Sequence, residues 1–198
     1  MGPADSEEAR QRDEEIDLLL EAPNAVWSSG AGRLKFSHDR NSPDGFAIYP
    51  KPHLLLEDES YHELVLETHP RWTDDGWIRG EFWVPHVGTN HHFLAQIGFI
   101  APMDGPLTNG VTVLIHFENT VLCEVTKLYD GHLKMIDIDM SHFSGRSGLL
   151  TIEVGTNGDS TQDWLVWLNP RIGPQDIVES SPAQDRRRRR LWRPRTGS

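Results

Sequence analysis

The sequence predicts an all-β chain folded as an antiparallel β-sandwich, and three observations carry that prediction. From Trp27 onward, apolar residues recur at every second position in short runs. The runs are spaced by roughly ten residues and separated by Gly, Pro, Asn and Asp, as sandwich strands are. No strand–helix alternation appears, which disfavours a doubly wound α/β arrangement, and no propeller-length repeat is present.

Taken in order, the first segment, residues 1–21, is expected to form a short helix. Asp5 or Ser6 can cap it, Asp5 and Glu8 have capping-box spacing, and Ile16, Leu19 and Leu20 make one apolar stripe before Pro23 ends it. The body follows over 22–173. Ile78, Gly80, Phe82 and Val84 alternate with Arg79, Glu81 and Trp83. Phe93, Ala95, Ile97 and Phe99 alternate with Leu94, Gln96 and Gly98. Val111, Val113, Ile115 and Phe117 alternate with Thr112, Leu114 and His116. Further runs lie at 122–128, 133–138, 149–154 and 164–168. Asn109-Gly110, Asp130-Gly131 and Asn157-Gly158 accept the positive φ of tight hairpin turns. Of the tryptophans, Trp27, Trp72, Trp77, Trp164 and Trp167 are expected mostly in the core. Trp164 and Trp167 differ by three positions, so one of them is partly exposed unless a bulge intervenes. The last segment, 174–198, is a Pro- and Arg-rich tail expected to be disordered.

Composition narrows the function classes. The chain of 198 residues is 37% apolar, with seven Trp and seven Phe, enough bulk for one core. No run approaches the ~18 apolar residues of a membrane span. The acidic start lacks a basic end and apolar middle, so no signal peptide is visible and a cytoplasmic location is expected. A lone Cys123 excludes an internal disulfide and a cysteine zinc cluster; it sits in an apolar run, as a buried small residue would. The net charge of -11 divides into -6 over residues 1–21, -11 over 22–184 and +6 over 185–198. Such a body repels nucleic acid and anionic membrane over most of its surface. Only the tail, with Arg186, Arg187, Arg188, Arg189, Arg190 and Trp192, has the chemistry to grip phosphate, and then without reading sequence. The oppositely charged ends could equally attract each other or a protein partner, and oligomeric state stays open.

Several stretches carry a family resemblance. They are Ala25-Val26-Trp27-Ser28-Ser29-Gly30-Ala31-Gly32-x-Leu34, Gly45-Phe46-Ala47, and Thr68-His69-Pro70-x-Trp72 followed by Asp75-Gly76-Trp77-Ile78-x-Gly80. His92-Phe93-x-Ala95-x-Ile97-Gly98-Phe99, Lys127-x-Tyr129-Asp130-Gly131 and Ile136-Asp137-Ile138-Asp139-Met140-Ser141-x-Phe143-x-Gly145 come next. The set closes on Asn157-Gly158-Asp159-Ser160-x-x-Asp163-Trp164-x-x-Trp167-x-x-Pro170-Arg171-Ile172. Together they resemble the jelly-roll modules related to the NPCBM type, carbohydrate-binding-like domains of bacterial glycosidases and other bacterial proteins. The resemblance covers residues 22–173 and implies a jelly-roll sandwich. It implies a saccharide as one ligand class. In such modules the Asp137–Asp139 segment reads as a strand leading into a turn that Asp139 caps at Ser141.

A saccharide site needs an exposed aromatic ring over the apolar face of a pyranose, with polar groups beside it for the hydroxyls. Trp83 is the candidate ring, its parity being opposite to Phe82 and Val84, with Glu81, Gln96, His116 and Arg79 as polar neighbours. A structural calcium ion, frequent in related jelly rolls, would draw on Asp159, Asp163 and Asp44, although the same side chains can cap turns. Zinc is disfavoured: His86, His91 and His92 cluster in sequence, but adjacent His91 and His92 point apart on a strand and no HExxH motif exists. No GxSxG, P-loop or dinucleotide fingerprint is present, and no enzyme activity is expected. Two functions remain: a non-catalytic binding module for a saccharide or similar polyhydroxyl ligand, or an interaction or scaffold protein whose charged ends engage a partner.

Overall fold

Two antiparallel sheets account for nearly all of the regular structure. The computed structural model describes residues 15–37, 39–101 and 107–175. In chain order the elements are β1 (Ile16–Asp17), α1 (Leu18–Glu21), β2 (Val26–Ser29), β3 (Gly32–Leu34), β4 (Phe46–Ile48), β5 (Leu54–Leu55), β6 (Tyr61–His62) and β7 (Leu66–His69). Then come β8 (Trp77–Val84), β9 (His91–Phe99), β10 (Val111–Phe117), β11 (Thr120–Lys127), β12 (Lys134–Asp139), β13 (Gly148–Thr156) and β14 (Leu165–Pro174). The front sheet has the order β11-β10-β13-β8-β2-β3; the back sheet has β12-β9-β14-β7-β4, with β1 added to the far half of β14. A small hairpin, β5-β6, stands apart.

The two-residue rhythm read from the sequence sorts the side chains of each strand. Ile78, Phe82 and Val84 of β8 face the interior with Val113, Ile115 and Phe117 of β10 and Leu150, Ile152 and Val154 of β13. Phe93, Ile97 and Phe99 of β9, with Leu165 and Trp167 of β14, meet them from the back sheet. Each such burial contributes roughly 1.5–3 kcal/mol against ordering entropy. Gly80 belongs to the inward set for a steric reason. It pairs with Trp27, and a Cβ at Gly80 would lie 2.7 Å from that indole. The buried indole N–H of Trp27 donates to the Ala22 carbonyl at 2.8 Å, and that of Trp167 to the Thr68 hydroxyl at 3.1 Å. Trp164 lies just before β14, half-buried against the outer apolar cluster, while Trp167 is in the core, so the two face opposite sides as their spacing of three requires. The bulge of β14 falls later, between Leu168 and Arg171, where Pro170 needs no ladder partner.

Several sequence expectations change on contact with the fold. The capping residues Asp5 and Ser6 lie outside the described residues. The helix is a single turn capped by Asp17, whose carboxylate accepts from Leu19 N and Leu20 N. Ile16 is in a strand instead, paired with Ile172, and the buried pair is Leu18 and Leu19 while Leu20 is exposed. Only Trp27 and Trp167 of the five expected core tryptophans are fully buried; Trp77 and Trp164 are half-buried and Trp72 is exposed, because these three sit on outward or loop positions. Gly110, Gly131 and Gly158 do take positive φ, but in the connections where the chain crosses between sheets. Of the tight front-sheet hairpins, β10-β11 turns instead at Glu118, also at positive φ, and β2-β3 at Gly30-Ala31. Cys123 is half-buried on β11 at the edge of its sheet. The Asp139 cap is present, with Ser141 N at 2.8 Å.

The two outer faces differ. A second apolar cluster of Leu56, Val65, Ile100, Val166 and Leu168, with Leu54, Leu133 and Trp164 against it, lies on the outside of the back sheet. Glu57 anchors this covering. Its Oε1 meets Lys127 Nζ at 2.7 Å and accepts from Phe99 N at 2.9 Å; its Oε2 accepts from Asp130 N at 2.9 Å and Gly131 N at 3.1 Å. Lys127, buried at the end of β11, also binds Asp130 at 3.0 Å and lies 5.4 Å from the Phe99 ring centroid. One carboxylate thereby joins a loop, a back-sheet strand and the end of a front-sheet strand. Breaking a buried pair leaves an uncompensated charge. Lys127→Met is expected to lower stability by ~3–5 kcal/mol in urea unfolding followed by tryptophan fluorescence. The double variant Lys127→Met/Glu57→Gln should cost less than the sum of the two single ones, because the two sites are in contact.

Candidate functional site

The outer face of the front sheet is where the sequence-predicted residues converge. Since Ile78, Gly80, Phe82 and Val84 turn inward, Trp77, Arg79, Glu81 and Trp83 turn outward. Register with β13 sets Trp83 opposite Leu149, Glu81 opposite Thr151 and Arg79 opposite Glu153. Register of β13 with β10 then sets Thr151 opposite His116 and Glu153 opposite Leu114. Trp83, Glu81, Arg79 and His116 therefore share one surface. Gln96 does not. It lies on β9 of the back sheet, paired with Met135 and Leu168. Parity says which side of its own sheet a residue faces, and a sandwich has two outer sides.

Trp83 is 61% exposed, and Leu149 across from it is 40% exposed. Val26, paired with Glu81 from β2, and Val121, paired with His116 from β11, are exposed as well. The face thus carries a polar row, Glu81–Thr151–His116, between two valines, with the Trp83–Leu149 platform along one flank. On the other flank Arg79 donates to Glu153 Oε2 from Nε at 2.8 Å and from Nη2 at 2.6 Å, and its guanidinium lies 5.1 Å from the Trp77 ring centroid. A partly exposed pair of this kind contributes about 0–1 kcal/mol, so its effect is to hold two long side chains in place. Sequence reasoning missed Leu149, Thr151, Glu153, Val26 and Val121. The alternation of 149–154 signalled an outward set, but only register shows what stands beside Trp83.

The three aspartates considered for calcium differ in burial and partners. Asp159 is exposed and accepts from the Thr161 hydroxyl at 2.7 Å and Thr161 N at 2.8 Å, bonds that hold its carboxyl below the usual range. Asp163 is fully buried; one oxygen accepts from the Thr108 hydroxyl and the other has no partner among the described residues. Burial, reinforced by the charge of Asp159, pushes Asp163 up to about 7. Asp44 is exposed in the loop before β4. Among the described residues, no group of three or more His, Cys, Asp or Glu able to hold a metal ion assembles. His91 is buried whereas the neighbouring His92 binds Asp137 at 2.6 Å, as opposite strand parity requires. Arg186 to Arg190 and Trp192 lie outside the described residues.

A second cluster escaped the sequence altogether. Arg40 donates from Nε to the buried Glu67 at 2.8 Å and lies 5.2 Å from the Trp164 ring centroid. Burial raises the Glu67 carboxyl above its usual range and holds the neighbouring His69 down to about 4. Glu67 sits on β7 beside Val166, within the covered side of the back sheet. No local pattern marks a pairing between residues 27 positions apart.

No protein-family model and no curated protein matches the sequence. Solved structures match in shape. The CBM51 module of Clostridium perfringens GH95, in complex with methyl-galactose, superposes with a TM-score of 0.51 at 13% identity, covering 80% of this chain and 99% of that one. The CBM51-2 module of C. perfringens ZmpB, in complex with GlcNAc and with INT domains, gives 0.52 at 16% identity over 88% of this chain; the chain spans about a third (34%) of that longer one. A cyclase from Fischerella sp. TAU, in complex with 4-(1H-indol-3-yl)butan-2-one, gives 0.50 at 12% identity, covering 75% and 86%. What they share is the fold. This chain has the all-β sandwich fold of those structures.

Asp163 generates a pH prediction. Its folded-state carboxyl keeps a proton up to about pH 7, whereas the unfolded one releases it near 3.8. Between those values the folded state binds the extra proton, so this group's contribution to stability falls as pH rises, by at most ~1.4 kcal/mol per pH step. Asp163→Asn keeps the acceptor for Thr108 and removes the buried charge. Its stability advantage over the native chain is expected to grow from pH 4 to 7 and level off above, measured by urea unfolding at each pH. A constant difference would remove the assignment.

Proposed function

We propose that the protein is a non-catalytic module that binds a saccharide or similar polyhydroxyl ligand on the outer face of the front sheet. The single observation carrying this reading is Trp83: a large ring 61% exposed on a regular strand, beside Leu149, with the polar row Glu81–Thr151–His116 starting two residues away on the same face. An indole face covers the C–H face of a pyranose, and the carboxylate, hydroxyl and imidazole along the row offer hydrogen bonds to hydroxyl groups of the ligand. Similarity in fold to modules solved with methyl-galactose and with GlcNAc supports the ligand class. Binding rather than glycosidic cleavage is favoured because Glu81 and Glu153 project from one strand-paired surface, with Glu153 tied to Arg79, while hydrolysis needs two carboxyls flanking the scissile bond.

A glycan array probed with the native chain, Trp83→Ala and Trp72→Ala tests the proposal. Trp83→Ala is expected to abolish binding, and Trp72→Ala, on a loop outside this face, to retain it. Because Trp83 is exposed, its replacement should alter unfolding stability by only about 0.5 kcal/mol. Loss of binding is then not a loss of fold. Failure of the native chain to bind any glycan at millimolar concentration removes the reading.

A further inference from the structure

We propose that the front face takes a neutral, extended saccharide chain laid across the strands, rather than a single terminal sugar. This rests on the saccharide reading above and goes beyond it in ligand length and charge.

The shape of the face sets the length. Val26, Glu81, Thr151, His116 and Val121 occupy one row through β2, β8, β13, β10 and β11. Strands are ~4.8 Å apart, so the row spans ~19 Å, several sugar rings long. A linear chain in that direction meets a new side chain at each strand. Trp83 lies two residues from Glu81 on the same strand, an offset of ~6.8 Å along it, so the ring stands beside the row. The polar groups that would meet hydroxyls therefore come from three different strands, and a single pyranose on Trp83 reaches only the nearest of them. A ligand using both the platform and the full row must be longer than one sugar.

Charge sets the second property. Arg79 is engaged by Glu153 through two hydrogen bonds, leaving Glu81 beside the aromatic platform with no ion-pair partner among the described residues. Glu124 faces outward opposite Leu114 in the adjoining row, and Arg33 stands at the far edge opposite Ser28. An acidic saccharide would bring its carboxylate or sulfate next to Glu81, on a chain whose net charge is -11. A neutral saccharide can donate hydroxyl protons to that same carboxylate, a charge-assisted bond with no like-charge cost.

The test is isothermal titration of the full chain against linear oligosaccharides of one to six residues. The neutral series would be glucose and N-acetylglucosamine oligomers, with oligogalacturonate as the acidic counterpart. For a neutral series, affinity is expected to rise at least tenfold between one and four residues and then level off. The acidic series of equal length should bind at least tenfold more weakly at low salt, and Glu81→Gln should narrow that gap. Trp83→Ala should cost tenfold or more at every length. Binding of a monosaccharide with no gain on lengthening, still abolished by Trp83→Ala, overturns the chain inference and leaves the saccharide reading standing. Preference for the acidic series overturns the neutrality argument alone. No saccharide binding, together with a dimer in sedimentation that Trp83→Ala dissociates, overturns both and assigns the face to a second copy of the chain.

Discussion

The carboxylate of Glu57 is the point on which the arrangement turns. Placed in the interior, it would be intolerable without partners, and it has four: one ammonium and three backbone N–H groups drawn from β9, the end of β11 and the loop after it. Satisfying that one group fastens the segment around residues 54–62 against the back sheet. The small apolar cluster of Leu56, Val65, Ile100, Val166 and Leu168 then closes beneath it. The sandwich becomes one-sided as a result. Among the described residues, its back is dressed by its own chain and its front presents strands directly.

That asymmetry gives the exposed residues of the front sheet their significance. Single apolar residues on a surface are commonplace. Trp83, Leu149, Val26 and Val121 are a group, gathered on one side by register and interleaved with polar residues. Trp83 and Leu149 are outward because strand neighbours are claimed by the core. Phe82 and Val84 leave Trp83 no inward position, just as Leu150 leaves none to Leu149. For Trp83, the outward position is thus a consequence of core packing on both sides of it.

How far the sequence was legible follows from which interactions are local. Alternation in β8, β9 and β10 is a property of neighbours along the chain, and the sandwich, its inward set and the outward direction of Trp83 could be read from it. The capping of a turn by Asp139 spans two residues and was legible for the same reason. Gln96 shows where such reading stops: its parity is outward, as expected, but the sheet it belongs to is decided by pairing with β12 and β14. The glycines at 110, 131 and 158 make a similar point. Their positive φ was foreseeable, whereas their use in crossing between sheets depends on which strands they join.

By itself, then, the sequence determined the period, the identity of the greasy side of each strand and the presence of one large aromatic left over. Those are consequences of chain geometry, in which successive side chains must alternate. Tertiary structure alone decided which strands lie side by side, and so which polar groups stand next to Trp83. It also decided which of two outer faces is covered, because Glu57 and Lys127 lie 70 positions apart and are neighbours only in the folded arrangement. Contacts of that range leave no mark on local pattern, since their energy is realised only when the intervening chain has found its place.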